Sequence, residues 1–352
     1  MTTRFEKANN LLKKHKADYL LITDCISARY FSGFSSSNVI LLYSPKKKFL
    51  FTDFRYKTAA DIFCKESGWQ KPDACFKCFA ENNINGKILF QDDFLSVSEF
   101  ESFKKKLKNS ELIPAGIEIN AVFYEKTEEE IKLIKRAAQI ADLSFSQWQK
   151  ELNAGMSEFE AARNLDVICL KNGSEKAAFD TIVLFGENAA LPHGVPSRER
   201  KLKDGDVVLC DFGCVVDGFC SDMTRTISFG KSEVQLKNVY SVVLEAQIIG
   251  IENVKAGAKA SDVDKKVRDF LTDKNFVSEF GHGTGHSVGL RIHEKPAINK
   301  KDETILETGM AITIEPGVYI PNNFGVRIED MVIVTENGCE IITKTTKNFV
   351  EI

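Results

Sequence analysis

Three of the five histidines in this 352-residue chain lie in one glycine-rich segment, GHGTGHSVGLRIHE, at residues 281–294. They are His282, His286 and His293. Glycine lets a backbone approach neighbouring groups closely, and histidine provides a neutral metal ligand or a proton carrier near neutral pH. We therefore expect this segment to form part of a functional site. A phosphate-binding loop is the weaker alternative, because the segment lacks the lysine and Ser/Thr of a P-loop.

Four acidic residues occur within or shortly after two similar sequence frames. GDVVLCDFG (205–213) and GMAITIEPG (309–317) share the order Gly, five residues, an acid, one residue, Gly. Each frame supplies one acid and is followed by another: Asp211 with Asp222 in SDMTRT, and Glu315 with Glu329 in VRIED. A carboxylate on an apolar strand is costly to bury unless it is paired or bound to a metal. The repeated frame predicts a duplicated half-domain, and chance recurrence of a short frame is the alternative.

The first pair of acids is expected to meet across a β-hairpin. Asp217-Gly218 is a strong two-residue turn signal, and a turn there places Asp211 opposite Thr224. Gly213 then lies opposite Asp222, where we expect it to leave open space. Asp211 and Asp222 become diagonal neighbours, with Cβ atoms about 7 Å apart or less. Two carboxylates at this separation repel each other unless a cation lies between them.

The geometry of the second pair depends on the length of its turn. If residues 321–323 form a three-residue connection, Glu315 faces Glu329. A two-residue turn at Asn322-Asn323 would direct one acid to the opposite face, but the duplicated frame favours convergence. Four carboxylates with one histidine suit divalent Mn, Co or Zn. Acids that bridge two such ions would form a two-metal hydrolytic site.

The elements that position these residues fall into two parts. Residues 1–122 alternate apolar runs with amphipathic stretches, which predicts an α/β N-terminal domain. Its expected strands are 18–24, 38–44, 48–53 and 87–93, and its expected helices are 4–16 and 96–108. In residues 123–352, capping boxes at Thr127 and Ser157 open two helices that precede strands over 179–230. Helices near 232–252 and 260–274, followed by further strands, repeat this order and indicate a pseudo-twofold axis in an α+β fold.

The composition is that of an ordinary globular protein, with 43% apolar and 28% charged residues. A formal net charge of −3 gives no reason to expect a nucleic-acid partner. Nothing approaches the ~18–20 apolar residues of a membrane span, and residues 1–22 lack a signal-peptide core. Nine cysteines, an odd number, suit free thiols, and we expect a cytoplasmic protein. Cys75 and Cys78 have metal-ligand spacing, but a structural zinc site would need a second such pair.

Several of these segments resemble, in order, the motifs of the pita-bread metallopeptidases, the family of creatinase, aminopeptidase P and prolidase. The segments are FDTIVLFGENAALPHG, LCDFG, SDMTRT, GHGTGHSVGLRIHE, IEPGVY and VRIED. ARYFSGF (28–34) and FTDFRY (51–56) resemble the creatinase-type N-terminal domain, so the likeness spans nearly the whole chain. It implies a pita-bread catalytic domain at 123–352, preceded by a domain at 1–122 for substrate gating or dimerisation.

The resemblance also implies roles for individual residues. The implied metal ligands are Asp211 for one cation, His286 and Glu315 for the other, and Asp222 and Glu329 for both. The residues implied for substrate contact and proton transfer are His193, His282, His293 and Glu315. Arg327 would orient the carboxylates from behind. The cofactors would be two divalent cations, with manganese favoured over cobalt and zinc.

The implied reaction is release of the N-terminal residue from peptides with proline in second position, which is Xaa-Pro aminopeptidase activity. Xaa-Pro dipeptidase (prolidase) activity is the alternative, but dipeptidase relatives tend to carry an arginine shortly after the His-Glu motif, where this chain has Ala297. A metal-free binding protein of the same fold is less favoured, because all five ligand types are present. We expect proline-containing peptides as substrates, no nucleic-acid or membrane partner, and a homodimer.

Overall fold

The computed structural model describes residues 4–71 and 84–352. The chain separates into two compact units, Met1–Phe123 and Tyr124–Ile352. Cys75 and Cys78 lie outside the described residues. Within the described ranges, no helix combines the length and the apolar character needed to cross a lipid bilayer.

The N-terminal unit contains a mixed sheet. Its strands are β1 (Tyr19–Ile22), β2 (Val39–Tyr43), β3 (Lys48–Thr52), β4 (Gly86–Phe90) and β5 (Ser110–Pro114), paired in the order β3-β2-β1-β4-β5. The β1–β4 and β4–β5 pairs are parallel, whereas β1–β2 and β2–β3 are antiparallel. The helices are α1 (Arg4–His15), α2 (Cys25–Ser32), α3 (Lys57–Ser67), α4 (Val97–Lys106) and α5 (Gly116–Ala121). The sequence-based prediction coincides with α1, α4 and β1 to β4, and lacks β5, α2, α3 and α5.

The C-terminal unit consists of two halves, and each half has two helices followed by strands. In the first half, α6 (Glu128–Trp148) and α7 (Glu158–Lys171) precede β6 (Ile182–Phe185), β7 (Val207–Phe212), β8 (Val215–Val216), β9 (Phe219–Cys220) and β10 (Met223–Ser228). In the second half, α8 (Val234–Glu252) and α9 (Ala260–Asp273) precede β11 (Gly285–Ser287), β12 (Glu294–Ile298), β13 (Ala311–Ile314), β14 (Gly317–Ile320), β15 (Phe324–Arg327), β16 (Asp330–Val334) and β17 (Cys339–Ile341). The main strand orders are β10-β7-β6 and β12-β11-β13-β16-β17.

The starts of α6 and α7 are fixed by the two capping boxes. The hydroxyls of Thr127 and Ser157 accept the backbone N–H groups of Glu130 and Glu160, and each glutamate side chain bonds back to the capping residue. These reciprocal bonds satisfy donors that a helix start would otherwise leave unpaired. α7 ends just before Gly173, whose φ of 105° lies in the left-handed region that glycine adopts readily.

Strand β7 shows how the core positions a functional carboxylate. Val208, Cys210 and Phe212 pack in the core cluster formed with α6 and α7, whereas Leu209 packs in the cluster formed with α8 and α9. Because side chains alternate along a strand, Asp211 shares the face of Leu209. The apolar strand is therefore anchored on both faces, and this anchoring fixes the backbone that carries Asp211.

The first acid pair lies on a long hairpin closed at Asp217-Gly218. These two residues have φ values of 47° and 83°, the positive φ pair of a type I′ turn. Val216 pairs with Phe219, and the same register places Asp211 opposite Thr224. The predicted hairpin register is confirmed.

The second acid pair lies on a hairpin with a three-residue connection. Ile320 pairs with Phe324, so that residues 321–323 form the connection, and Asn322 has a φ of 61°. The register of β14 with β15 is continuous with that of β13 with β16. It therefore places Glu315 opposite Glu329, and the two-residue alternative is excluded.

Candidate metal centre

Carboxylates from both hairpins converge on the imidazole of His286, which lies on β11. Its Nε2 is 3.5 Å from Oδ2 of Asp222 and 3.6 Å from Oε1 of Glu315. Ligand atoms of Asp222, His286 and Glu329 all lie within 4.8 Å of one another. Nδ1 of His286 lies 3.1 Å from the carbonyl oxygen of Ser287, which can only accept a hydrogen bond. Nε2 is therefore the nitrogen with a free electron pair, and it faces the carboxylates.

Asp211 joins this group through its cross-strand partner, Thr224. The hydroxyl of Thr224 donates to Oε2 of Glu329 over 2.7 Å, and the backbone N–H of Glu329 donates to the carbonyl oxygen of Thr224. The two hairpins therefore touch at the residue opposite Asp211. Thr224 was not singled out from sequence, although the hairpin register alone places it across from Asp211.

Three of these carboxylates have a buried oxygen that lacks a hydrogen-bond partner within residues 4–71 and 84–352. The atoms are Oδ1 of Asp211, Oδ1 of Asp222 and Oε1 of Glu329. A buried, unpaired carboxylate oxygen is costly, because it has lost the water that would solvate it. Several such oxygens beside an imidazole electron pair form a hard donor set suited to divalent cations. The residues therefore fit a divalent metal centre.

Without a cation, burial raises the pKa values of the acids in this cluster and lowers that of its histidine. Burial, together with the negative charge of neighbouring carboxylates, raises the pKa values of Asp222 and Glu329 well above their usual range. Burial raises the pKa of Glu315 to about 8. Burial lowers the pKa of His286 to about 4, so that its imidazole is neutral near pH 7. Protonated acids beside a neutral imidazole would exchange protons for metal ions, because metal ligands must be deprotonated.

Arg327 binds the cluster from behind. Its Nη2 donates to Oδ2 of Asp211 over 2.6 Å, its Nε donates to the hydroxyl of Thr224 over 3.0 Å, and its Nη1 donates to the hydroxyl of Tyr319 over 2.7 Å. All three guanidinium nitrogens therefore donate hydrogen bonds within the site, one of them to a carboxylate and two to hydroxyl groups. Sequence reasoning missed Tyr319, although strand alternation places it on the same face as Glu315.

The hydrogen-bond network determines the tautomer of His282. Its Nδ1 lies 2.8 Å from the carbonyl oxygen of Gly283 and its Nε2 lies 2.9 Å from the hydroxyl of Tyr319. Since Tyr319 accepts from Arg327, its own proton is available to Nε2, and Nδ1 carries the imidazole proton. Burial lowers the pKa of His282 to about 4, which agrees with a neutral ring. Both nitrogens are engaged by the protein, so the predicted role in proton transfer would require one of these bonds to break.

The candidate metal centre lies in a cavity of about 430 Å³ within the C-terminal unit. His193 and His293 line this cavity, and the rings of His286 and His293 meet edge to face with centroids 4.5 Å apart. Phe179, Ile182 and Ile292 supply an apolar part of the wall. The sequence-predicted histidines and acids are thus brought to one cavity, and Arg327 also lines it.

Two glycines of the site are required by close backbone packing. A Cβ atom on Gly285 would lie 1.9 Å from the carbonyl oxygen of Thr313, and one on Gly213 would lie 2.0 Å from that of Ser221. The expectation that Gly213 leaves open space beside Asp222 is therefore wrong. The space is already filled by backbone, and glycine is needed because the strands approach so closely.

Two protein-family models match this chain. The profile of metallopeptidase family M24 matches residues 132–336, and that of the creatinase/prolidase N-terminal domain matches residues 4–122. The chain is 37% identical to an Xaa-Pro dipeptidase of Pyrococcus furiosus over 352 residues, covering 99% of both chains.

Two solved structures are similar over the full length. One is an Xaa-Pro dipeptidase from Bacillus anthracis, with a TM-score of 0.93, 38% identity and 99% of each chain covered. The other is an X-Pro aminopeptidase from Thermotoga maritima, with a TM-score of 0.92, 33% identity and 100% of each chain covered. These matches confirm the family and the pita-bread fold that the sequence motifs indicated. The chain therefore belongs to metallopeptidase family M24 and is a peptidase with an N-terminal domain of the creatinase/prolidase type.

Proposed function

We propose that this protein is a dinuclear-metal Xaa-Pro dipeptidase, which hydrolyses the bond before the proline of a dipeptide. The observation that carries the proposal is the convergence of four carboxylates and a neutral imidazole in one cavity. Relatives of 37% and 38% identity over the whole chain that are named Xaa-Pro dipeptidases supply the substrate class. They favour the dipeptidase, the alternative in our sequence analysis, over the aminopeptidase assignment that the motifs suggested first.

The ligand set divides into two groups around the bridging acids. Asp211 would hold one cation, His286 and Glu315 would hold the other, and Asp222 and Glu329 would contact both. We favour manganese over cobalt and zinc for these sites. When bound, two such cations lower the pKa of a water molecule and polarise the scissile carbonyl group.

The chain's own residues would then move the protons. Glu315 would take a proton on a carboxylate oxygen and pass it to the departing proline nitrogen. His293 or His193, which line the cavity, would donate a hydrogen bond to the carbonyl oxygen as negative charge develops on it. The position of Glu315 supports this role, because its Oε1 lies 3.6 Å from Nε2 of His286 and therefore beside the assigned cation.

Xaa-Pro aminopeptidase activity remains the second candidate. Ala297, which lines the cavity, occupies the position where a carboxylate-binding arginine is expected in dipeptidases. The Thermotoga maritima relative carries the aminopeptidase name at 33% identity. A free carboxylate on the substrate would need another hydrogen-bond donor, and the imidazole N–H of His193 or His293, which line the cavity, is our candidate.

The deciding experiment compares hydrolysis of Ala-Pro with that of Ala-Pro-Ala by the full-length chain in added Mn²⁺. We expect Ala-Pro to have the higher kcat/KM by at least about tenfold, which corresponds to roughly 1.4 kcal/mol of transition-state binding to the free carboxylate. Preference for Ala-Pro-Ala would establish the aminopeptidase instead. Ala-Ala serves as the control for the proline requirement. No hydrolysis of any peptide by metal-loaded protein would refute the peptidase assignment of this chain.

Three further features complete the proposal. We place the protein in the cytoplasm, in keeping with free thiols at its described cysteines. We propose a homodimer in which residues 1–122 serve dimerisation or substrate gating. Gel filtration with light scattering should give about twice the chain mass of 39.4 kDa. A monomer at assay concentration would contradict the dimer without affecting the peptidase assignment.

A further inference from the structure

A buried carboxylate on α9 holds the glycine-rich segment that carries His286. Asp264 has no exposed surface. Its Oδ1 accepts the backbone N–H of Thr284 at 3.1 Å and the hydroxyl of Thr284 at 2.8 Å. The bond to the hydroxyl fixes the side chain of Thr284, whereas its backbone N–H is shared between Asp264 and the carbonyl oxygen of Ile298, which is 2.7 Å away. The segment is therefore tied to the helix at this residue.

Arg268, one turn along α9, extends this attachment. Its Nε donates to Oδ2 of Asp264 over 2.7 Å. Its terminal nitrogens donate to the carbonyl oxygens of Phe280, which directly precedes the segment, and of His282, which lies at its start. The guanidinium carbon also lies 4.4 Å from the centroid of the Phe280 ring. We call Asp264 and Arg268 the α9 clamp, because together they hold the segment at Phe280, His282 and Thr284.

Thr284 in turn supports both ligands assigned to one cation. His286 follows it by two residues, and the backbone N–H of Glu315 donates to the carbonyl oxygen of Thr284 over 2.7 Å. Gly283 and Gly285 flank Thr284 and add little stiffness of their own. Bonds from outside the segment must therefore hold Thr284 in position, and Thr284 in turn positions His286 and Glu315.

The ligand assigned to the other cation has a different support. Asp211 lies on β7 and is oriented by Arg327, whose Nη2 is 2.6 Å from its Oδ2. Arg327 belongs to β15 and the clamp belongs to α9. The two cation positions thus have separate supporting residues, although they share the bridging acids Asp222 and Glu329.

We propose that the α9 clamp is a positioning pair that sets the metal affinity of one cation position, the one formed by His286 and Glu315. This inference rests on the proposed dinuclear function. Loss of the clamp should weaken that position selectively and leave the position at Asp211 occupied. A residue that merely stabilised the fold would weaken both positions together or neither.

The test is Mn²⁺ titration of chelator-treated protein by calorimetry, combined with electron paramagnetic resonance. Wild-type protein is expected to bind two ions and to give the spectrum of a coupled pair. Asp264→Asn removes the charge that balances Arg268, and it should weaken one ion by about 10- to 100-fold, the usual effect of losing a support behind a ligand. At limiting Mn²⁺ its spectrum should be that of an isolated ion. His286→Ala, which removes a ligand of the same position, provides the reference spectrum.

The matched control is Asp142→Asn. Asp142 lies on α6 and likewise accepts the backbone N–H and the hydroxyl of one threonine, Thr345, at 2.7 and 2.6 Å. The carbonyl oxygen of Thr345 accepts from Arg225, which donates to the backbone carbonyl of the bridging residue Glu329, so this variant should affect both ions alike or neither of them. Thr284→Val is a milder variant that removes one bond to Asp264 while keeping the side-chain shape. It should weaken the same position by a smaller factor, and it decides the question if Asp264→Asn does not fold.

If Asp264→Asn binds both ions with wild-type affinity, the clamp proposal is overturned. If Asp264→Asn does not fold, the same result in Thr284→Val overturns it. Equal weakening of both ions would overturn it as well. A wild-type chain that binds no divalent ion would instead overturn the proposed function, so the two failures can be told apart.

Discussion

Nη2 of Arg327 lies 2.6 Å from Oδ2 of Asp211, and this ion pair orients one carboxylate of the candidate metal centre. Both side chains are largely buried, with 4% and 13% of their surfaces exposed. The other oxygen of Asp211, Oδ1, is buried and has no hydrogen-bond partner in the described part of the chain. The ion pair therefore fixes one oxygen and leaves the other available as a metal ligand.

The first prediction is that Arg327→Lys weakens metal binding at the Asp211 position by about 10- to 100-fold. A lysine ammonium lacks the planar fork that reaches Asp211, Thr224 and Tyr319 at once. The measurement is Mn²⁺ titration, with kcat/KM on Ala-Pro as a second readout. Arg198→Lys is the control, since Arg198 packs on the ring of Phe159, 3.6 Å from its centroid. Wild-type affinity in Arg327→Lys would contradict this role.

The placement of the acids in the candidate metal centre could be predicted in large part because hairpin register is a local property. Asp217-Gly218 fixes a two-residue turn, and strand alternation then determines which residues face Asp211 and Asp222. The capping boxes at Thr127 and Ser157 are equally local, and both helices begin where they indicate. Long amphipathic helices and tight turns can be predicted because residues close together in the sequence determine them.

The remaining features depend on contacts between distant segments. The bond between Tyr319 and His282 forms only when β14 packs against the segment at 281–285. The role of Gly213 depends on how closely the backbone of Ser221 approaches. Short helices such as α2 and α5 are stabilised by packing against β2 and α1 respectively, since helices of so few residues are marginal by themselves. Spacing and periodicity also place no constraint on the length of peptide that the cavity accepts.

The second prediction concerns the stability of the metal-free protein between pH 6.5 and 8. The pKa of Glu315 is raised to about 8 when the chain is folded, so the folded state holds a proton that the unfolded state releases near pH 4.5. The stability due to this proton is complete below pH 4.5 and is lost as the pH rises through 8. Asp222 and Glu329 shift in the same direction. His282 and His286, with pKa values lowered to about 4, cost stability only as the pH falls below about 6.5.

In a chelator, we therefore expect the free energy of unfolding to fall from pH 6.5 to pH 8, by at most ~1.4 kcal/mol per pH unit for each proton released. Saturating Mn²⁺ should reduce or reverse this fall, because metal binding uses the deprotonated carboxylates. Urea unfolding at several pH values measures both curves. Glu315→Gln should flatten the chelator curve. A stability that rises with pH in the chelator would show that these acids are already ionised.

The third prediction distinguishes two glycines of the same segment. Gly285→Ala places a methyl group 1.9 Å from the carbonyl oxygen of Thr313, and backbone cannot move aside without displacing the β11–β13 pair. Gly281→Ala meets nothing within 4 Å. We expect Gly285→Ala to lose about 1–3 kcal/mol of stability and to bind Mn²⁺ more weakly, with His286 displaced. Gly281→Ala should resemble wild type in urea unfolding and in metal titration. Equal behaviour of the two variants would mean that the packing at Gly285 is not tight.

The last prediction concerns two ion pairs of equal length but different burial. Nζ of Lys126 lies 2.7 Å from Oε2 of Glu294, with 3% and 4% of the side chains exposed. Glu294 follows His293 directly and also accepts the backbone N–H of Arg291, so this pair holds the segment that carries a cavity histidine. Lys135 and Glu340 form a pair of the same 2.7 Å length, with 34% and 50% of the side chains exposed.

Lys126→Met should cost about 3–5 kcal/mol in urea unfolding, because it leaves the carboxylate of Glu294 buried without its counter-charge. Lys135→Met should cost less than about 1 kcal/mol, because water solvates Glu340 once its partner is gone. Lys126→Met/Glu294→Gln should be less destabilised than the sum of its two single variants, since the second change removes the charge that the first one strands. The kcat on Ala-Pro should fall in Lys126→Met and stay unchanged in Lys135→Met. Similar losses of stability in Lys126→Met and Lys135→Met would mean that water reaches Glu294, and that this pair does not hold His293 in place.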